Sequence, residues 1–262
     1  MPRQIFTGFP IFVNEGENET RSPDVHLFDF VSESGQSDIL SRTQNNEYSS
    51  ELQAAIDQCE ANIAAKLILP QGIIPVDTGL IVDEDHVHIQ GAGAVGNTND
   101  TVWRNYAGTV IRAVADITVL TIKTPVVASR TRILQSSDIS GVLIDCQTTA
   151  AATYASNGID IQGLRGGKFH DVVVYKAASK CWNIDILLDR TYLTVGEPDD
   201  TQNNHFYGCM GWTQHPNSNG HAWVLGGASN GTSGDVSLNY WFGCDGIVYN
   251  GTAWKFHCTD SN

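Results

Sequence analysis

The sequence predicts an all-β chain of short strands wound as the stacked coils of a single-stranded parallel β-helix, with one α-helix capping its N-terminal end. Three observations predict this. A single amphipathic helix near the start is followed by strands only. Those strands are short and end at Gly, Asn, Asp or Thr. An internal repeat returns at 35 residues, between "NHFYGCMGW" (204–212) and "NYWFGCDGI" (239–247). Repeats of this period signal a solenoid or a propeller, and the unequal offsets elsewhere suit coils whose corners accept insertions.

The elements follow in order. Residues 1–25 read as an N-terminal arm, and residues 26–262 as one β-helix domain. The helix is expected over about 50–64, where Ser50 and Gln53 fit a capping box and Leu52, Ala55, Ile56, Cys59 and Ile63 form one apolar stripe. Coils stack about 4.8 Å apart, so the first coil would leave backbone groups unpaired and its interior wet unless something covered it. No second helix is expected. "KLILP" is a buried strand, "PQG" a turn, and "DHVHIQGAG" an alternating strand with His86 and His88 on one face. Alternation recurs through "ISGVLIDCQ", "NGIDIQG", "KFHDVVVYK", "HAWVLGG" and "GIVYNGTAWKF". Two further alignments are expected: Phe169 beneath Asn204, again 35 apart, and Asp160 beneath Asp185. The last coil, ending in "WKFHCTDSN", reads as uncapped.

These segments resemble the pectate-lyase superfold, the right-handed parallel β-helix. The resemblance rests on "HLFDF" (26–30), "ELQAAIDQC", "KLILPQG" and "HVHIQGAG", covers about residues 26–96, and continues by pattern only. It implies fold. It implies no single chemistry, since lyases, hydrolases, epimerases and phage tailspikes share this start. The N-T-D, D-D, G-H-G and R-I-K set of the polygalacturonase-like hydrolases is missing, as are the W-x-D-H and R-x-P-x-x-R stretches of pectate lyases. The character is nearest to phage tailspike and tail-fibre proteins. That implies a homotrimer in the virion, made in the host cytoplasm, with a surface polysaccharide and other virion proteins as partners. A secreted polysaccharide lyase or glycoside hydrolase, and a non-catalytic structural or adhesive β-helix, stay open as alternatives, and so does enzyme activity as a polysaccharide depolymerase.

Composition narrows the partners. A formal charge of −14 over 262 residues repels phosphate backbones and anionic lipid, so neither nucleic acid nor membrane is expected. No basic n-region leads into an apolar run, and no apolar stretch approaches membrane-spanning length. The six cysteines contain no C-x-x-C pair and read as buried thiols, so no metal site and no cofactor is expected. Only the acidic insertion 187–204 offers oxygen ligands, of the kind Ca²⁺ takes.

Glycan chemistry needs carboxylates for proton transfer and aromatic surface for sugar rings. Asp160 and Asp185 each lie between isoleucines and are expected to point outward from neighbouring coils, roughly 5 Å apart, as a carboxylate pair. Asp189 completes the catalytic candidates. Tyr192, Trp212, Glu197 and Arg165 are the substrate-binding candidates, with Lys168 beside Arg165 in "RGGKF" forming a small cationic cluster suited to a uronate.

Overall fold

The computed structural model describes residues 24–62, 65–94, 108–147, 155, 157–187, 191–192, 200–213, 220–226, 236–248 and 251–256. These residues are mostly strand, and every strand pairing among them is parallel.

Three sheets carry the fold. Sheet 1 holds Val25–His26, Lys66–Ile68, His88–Gln90, Asp138–Ser140, Lys168–His170, His205–Tyr207 and Tyr240–Phe242. Sheet 2 holds Gly72–Val76, Thr109–Ala113, Val142–Asp145, Val173–Tyr175, Met210–Thr213 and Asp245–Val248. Sheet 3 holds Leu80–Val82, Thr118–Lys123, Asn157–Gln162, Lys180–Asp185, Gly220–Leu225 and Gly251–Phe256. The chain visits sheets 1, 2 and 3 in turn and then pairs each strand with its equivalent one circuit earlier. That is a parallel β-helix-like fold of six three-strand coils among the described residues. A fourth, two-stranded ribbon (Leu134–Gln135 with Leu164–Arg165) sits at a corner.

Alternation fixes which residues face inward. Each coil contributes one residue from each sheet to the central column. In the first three coils these are Leu67, Ile74 and Leu80, then Ile89, Ile111 and Leu120, then Ile139, Ile144 and Ile159. In the next three they are Phe169, Val174 and Trp182, then Phe206, Gly211 and Trp223, then Trp241, Gly246 and Trp254. Where sheet 3 supplies its later tryptophans, sheet 2 supplies glycine. A Cβ on Gly211 would lie 2.7 Å from the carbonyl oxygen of Ala222.

Among the described residues two α-helices and a 3-10 turn (Leu27–Asp29) precede the coils, where one α-helix was expected. The first, α1, spans Glu33–Ser41, is N-capped by Ser32, and ends at Arg42 in the left-handed region. Gly72, with φ +143°, lets the start of sheet 2 run against the Ile39 carbonyl of α1. Asp38 accepts hydrogen bonds from Tyr48 and from the backbone of Asn45 and Asn46, and from Thr43. Burial alone would raise this carboxyl, but those bonds together outweigh it and hold it below its ordinary value.

The second helix, α2, spans Ser49–Ala61 with Asn62 as its C-cap, and residues 63–64, including the expected stripe residue Ile63, lie outside the described residues. The expected capping box does not form. Ser50 bonds Glu51, and Gln53 reaches sheet 3 instead, accepting from the Ile81 N–H at 2.8 Å and donating to its carbonyl at 3.0 Å. Ser49 Oγ accepts from the N–H groups of Asp77 and Thr78, and Glu60 accepts from Asp83 N–H. The side chains of α2 thus satisfy backbone groups beside the first strand of sheet 3. Its stripe of Leu52, Ala55, Ile56 and Cys59 is buried in the central core, as expected.

The 35-residue repeat is a true stacking register: Phe206 pairs with Trp241 and Gly211 with Gly246. The two weaker alignments are each off by two residues. Phe169 pairs with Phe206 rather than Asn204, and Asp160 with Asn183 rather than Asp185. His86 and His88 do not share a strand, because His86 sits in a left-handed turn before the strand begins at His88.

Candidate functional site

Outward-facing residues of the three sheets form three different surfaces. On sheet 3, Asp160 does point outward between buried Ile159 and Ile161. Its carboxylate is held by two amides, Asn183 Nδ2 at 2.7 Å and Gln162 Nε2 at 2.7 Å. Lys180 donates to Asn183 at 2.9 Å, which completes a polar ladder. Asp185 stands opposite Gln162, is buried, and accepts from the Ile186 N–H. The two-residue stagger places its Cα roughly 8 Å from that of Asp160, from strand rise and spacing. The expected close carboxylate pair is therefore not assembled, and the close pair spacing fails for a plain reason of register.

On sheet 2 the outward row runs Arg112, Asp145, Tyr175, Trp212. Arg112 forks onto Asp145 through Nε at 2.9 Å and Nη2 at 2.5 Å, and its Nη1 donates to Gln44. Trp212 packs edge-on against Tyr175 at 5.1 Å and is buried with Ile73, Val110, Leu143 and Val173. Lys176 lies over the Tyr175 ring and donates to Gln147. The expected exposure of Trp212 to a ligand does not hold. Its side chain belongs to a second apolar cluster on the outer surface of sheet 2.

Sheet 1 is different. Its outward positions form two columns in register: Lys66, His88, Asp138, Lys168, His205, Tyr240, and Ile68, Gln90, Ser140, His170, Tyr207, Phe242. His170, Tyr207 and Phe242 stack at 4.5 and 5.0 Å with nearly parallel planes. His205 packs against Tyr240 at 4.9 Å, and its Nδ1 lies 3.0 Å from the Tyr207 hydroxyl. Centroids this far apart, with planes nearly parallel, mean rings slipped past one another in the offset arrangement aromatic quadrupoles prefer. Tyr240 and Phe242 are 40% and 52% exposed, and His170 and Lys168 are exposed. A phenol bonded to an imidazole, beside an ammonium, is a group able to bind polar ligands and to move a proton.

The remaining candidates scatter. Arg165 lies on the corner ribbon beside Gln135 and Gln202, two glycines before Lys168, and its Nε has no acceptor among the described residues. Tyr192 is 43% exposed. Asp189 and Glu197 lie outside the described residues, as does most of the insertion considered for Ca²⁺. Among the described residues no three His, Cys, Asp or Glu side chains are placed to hold a metal ion, and no helix is long and apolar enough to cross a membrane.

His170, His205, Tyr207, Tyr240 and Phe242 escaped the sequence reading. A signal was present. "KFH", "HFY" and "YWF" are three-residue strands with an aromatic centre, and in each the centre faces the core while both flanks face out.

No known family profile matches the chain, and no curated protein matches it in sequence. Solved structures do match. ORF18 of Geobacillus virus E2 superposes with a TM-score of 0.52 at 16% identity, over 84% of this chain and 41% of the viral one. A Parabacteroides merdae protein of provisional glycosyl hydrolase assignment matches at a TM-score of 0.42 and 14% identity, over 90% of each chain. The A-module of the mannuronan C-5 epimerase AlgE6 of Azotobacter vinelandii matches at 0.39 and 15%, over 83% of this chain and 63% of that one. At such identities the likeness is one of fold. The chain spans less than half the length of the viral protein it resembles.

Proposed function

We propose that this chain is a right-handed, single-chain parallel β-helix, capped at its first coil by α2, that binds a surface polysaccharide as part of a phage tailspike or tail fibre. The observation that carries the binding reading is the outward ladder of sheet 1. It joins offset aromatic rings to hydrogen-bonding imidazole, phenol and ammonium groups on a flat, solvent-facing surface, the combination that sugar rings with polar rims require. Fold likeness to a protein of a virus is in keeping with a viral setting for this chain. Three chains side by side, as in a trimer, would set three such faces around one axis and raise avidity for a repeating polymer. On this reading Asp160 serves to order the sheet 3 face rather than to transfer protons.

The test is a glycan panel presented to the assembled protein. Binding to one or more polysaccharides is expected, with loss in His170→Ala and Tyr207→Ala. Binding to none of the panel, or binding unchanged in both variants, contradicts the reading. Sedimentation of the same sample reads the trimer directly, and a monomer would remove that part of the proposal.

A further inference from the structure

Resting on the glycan-binding reading, we infer that the centre of the sheet 1 face is a site for a carboxylate-bearing sugar, with Lys168 as the carboxylate's partner. Several other cations of the described structure are already engaged. Arg112 is bound by Asp145, Arg130 by Glu84 and Asp85, and Arg132 by Asp85. Lys176 and Lys180 donate to Gln147 and Asn183. Lys168 is exposed and makes no hydrogen bond or ion pair among the described residues. Lys66, Lys123 and Lys255 are likewise without a partner there, but Lys66 stands three strands away in the same column and the other two lie on sheet 3, whereas Lys168 stands in register beside His205 and on the strand of His170. The nearest acid in its column, Asp138, is held by His88 at 3.3 Å.

The surroundings complete the site. On one strand Lys168 and His170 face out two residues apart. On the next, in register, stand His205 and Tyr207. These four side chains mark a block about 7 Å along the strands and about 4.8 Å across them, from strand geometry. An ammonium pairs with a carboxylate by a charge-assisted hydrogen bond, while the imidazoles and phenol meet ring hydroxyls. The chain's overall charge of −14 opposes an anionic ligand. Screening confines that opposition, since the Debye length is about 8 Å at physiological ionic strength, so the local ammonium decides.

The experiment titrates the assembled protein with a panel of uronate oligosaccharides, each beside its carboxyl-reduced neutral counterpart. Wild type, Lys168→Ala, Lys168→Arg and, as a control on another sheet, Lys180→Ala are compared, with melting temperatures recorded for each. At least one uronate is expected to bind tenfold or more tightly than its neutral counterpart. Lys168→Ala erases that preference, and Lys168→Arg and Lys180→Ala keep it. Neutral sugars binding as well as uronates, or a preference that survives Lys168→Ala, overturns the carboxylate site and leaves glycan binding standing. Failure of every sugar in both series overturns both.

Discussion

The first three coils and the last three solve one packing problem with different side chains. In the early coils the central column is aliphatic throughout, three branched side chains per level. In the later coils it is aromatic. Phe169, Phe206 and Trp241 stack along sheet 1 at 4.9 and 5.4 Å, and Trp182, Trp223 and Trp254 along sheet 3 at 4.8 and 4.9 Å. At each level the two stacks meet edge to face, with interplanar angles of 84–89°. The indole N–H groups of Trp182 and Trp223 donate to the carbonyls of Met210 and Asp245 in the next coil. Aliphatic levels interlock only by shape. Aromatic levels add direction. Opposite Trp223 and Trp254, sheet 2 places Gly211 and Gly246, where a Cβ would press on Ala222 and Ala253. The same three strands of sheet 1 that send an aromatic ring inward send the ring ladder outward, so core and candidate binding face are built from alternate residues of one segment.

The largest effect should come from the aromatic half. Trp223→Ala removes a buried ring that touches Trp182, Phe206, Trp241 and Trp254, and is expected to cost about 3–5 kcal/mol in urea unfolding. Ile111→Val, one methylene from the aliphatic half, is expected to cost about 0.5–1.5 kcal/mol. Equal costs would break the distinction between the halves.

Next comes the thiol chemistry. Cys209 and Cys244 occupy the same corner in successive coils, each bonded to a carbonyl one coil below, Phe169 and Phe206. Cys244 is the one described cysteine that is not buried, and the adjacent Cys209 thiol draws it below its ordinary value, while burial pushes Cys59 up to about 11 and Cys181 up to about 12. Among the described cysteines, Cys244 should therefore alkylate first in the native protein near neutral pH, read by peptide mass mapping. First labelling at Cys59 or Cys181 would contradict this.

A smaller effect belongs to the N-terminal end. Burial, aided by the nearby carboxylates Asp83 and Asp57, raises Glu60 to about 7. A carboxyl whose folded value exceeds its unfolded one binds its proton more tightly in the native state. Its contribution is complete below about 4.3, the unfolded value, and is lost as pH rises through 7. Glu60→Gln should flatten the fall in melting temperature between pH 5 and 8; an unchanged slope would assign that fall elsewhere.

Much of the fold was legible because period-2 alternation and one 3.6-period stripe are strong signals. α1 was not, because "ESGQSDILS" carries no stripe: of its buried positions only Ile39 is a large apolar residue, and Asp38 is held by polar bonds. The two misaligned repeats share one cause. A one-residue slip turns every side chain to the wrong face, but a two-residue slip preserves the pattern, so alternation cannot detect it. That slip set Asp160 against Asp185 on paper, where the fold sets Asp160 against Asn183. Trp212 was misread because its neighbours in sequence are polar, whereas its neighbours in space, Val173 and Tyr175, come from the preceding coil. The sheet 1 face was missed for the same reason: Lys168 and His205 are 37 residues apart, joined only by stacking.

On the proposed reading, inner rings hold the coils together and outer rings meet the ligand; the double variant Tyr207→Ala with Phe242→Ala tests that division most directly, measured for urea stability and glycan binding on one sample. The account predicts a stability loss of about 1 kcal/mol or less, since exposed cross-strand pairs contribute little, together with loss of binding. Binding at the wild-type level, or a collapse in stability as large as that of Trp223→Ala, would contradict it.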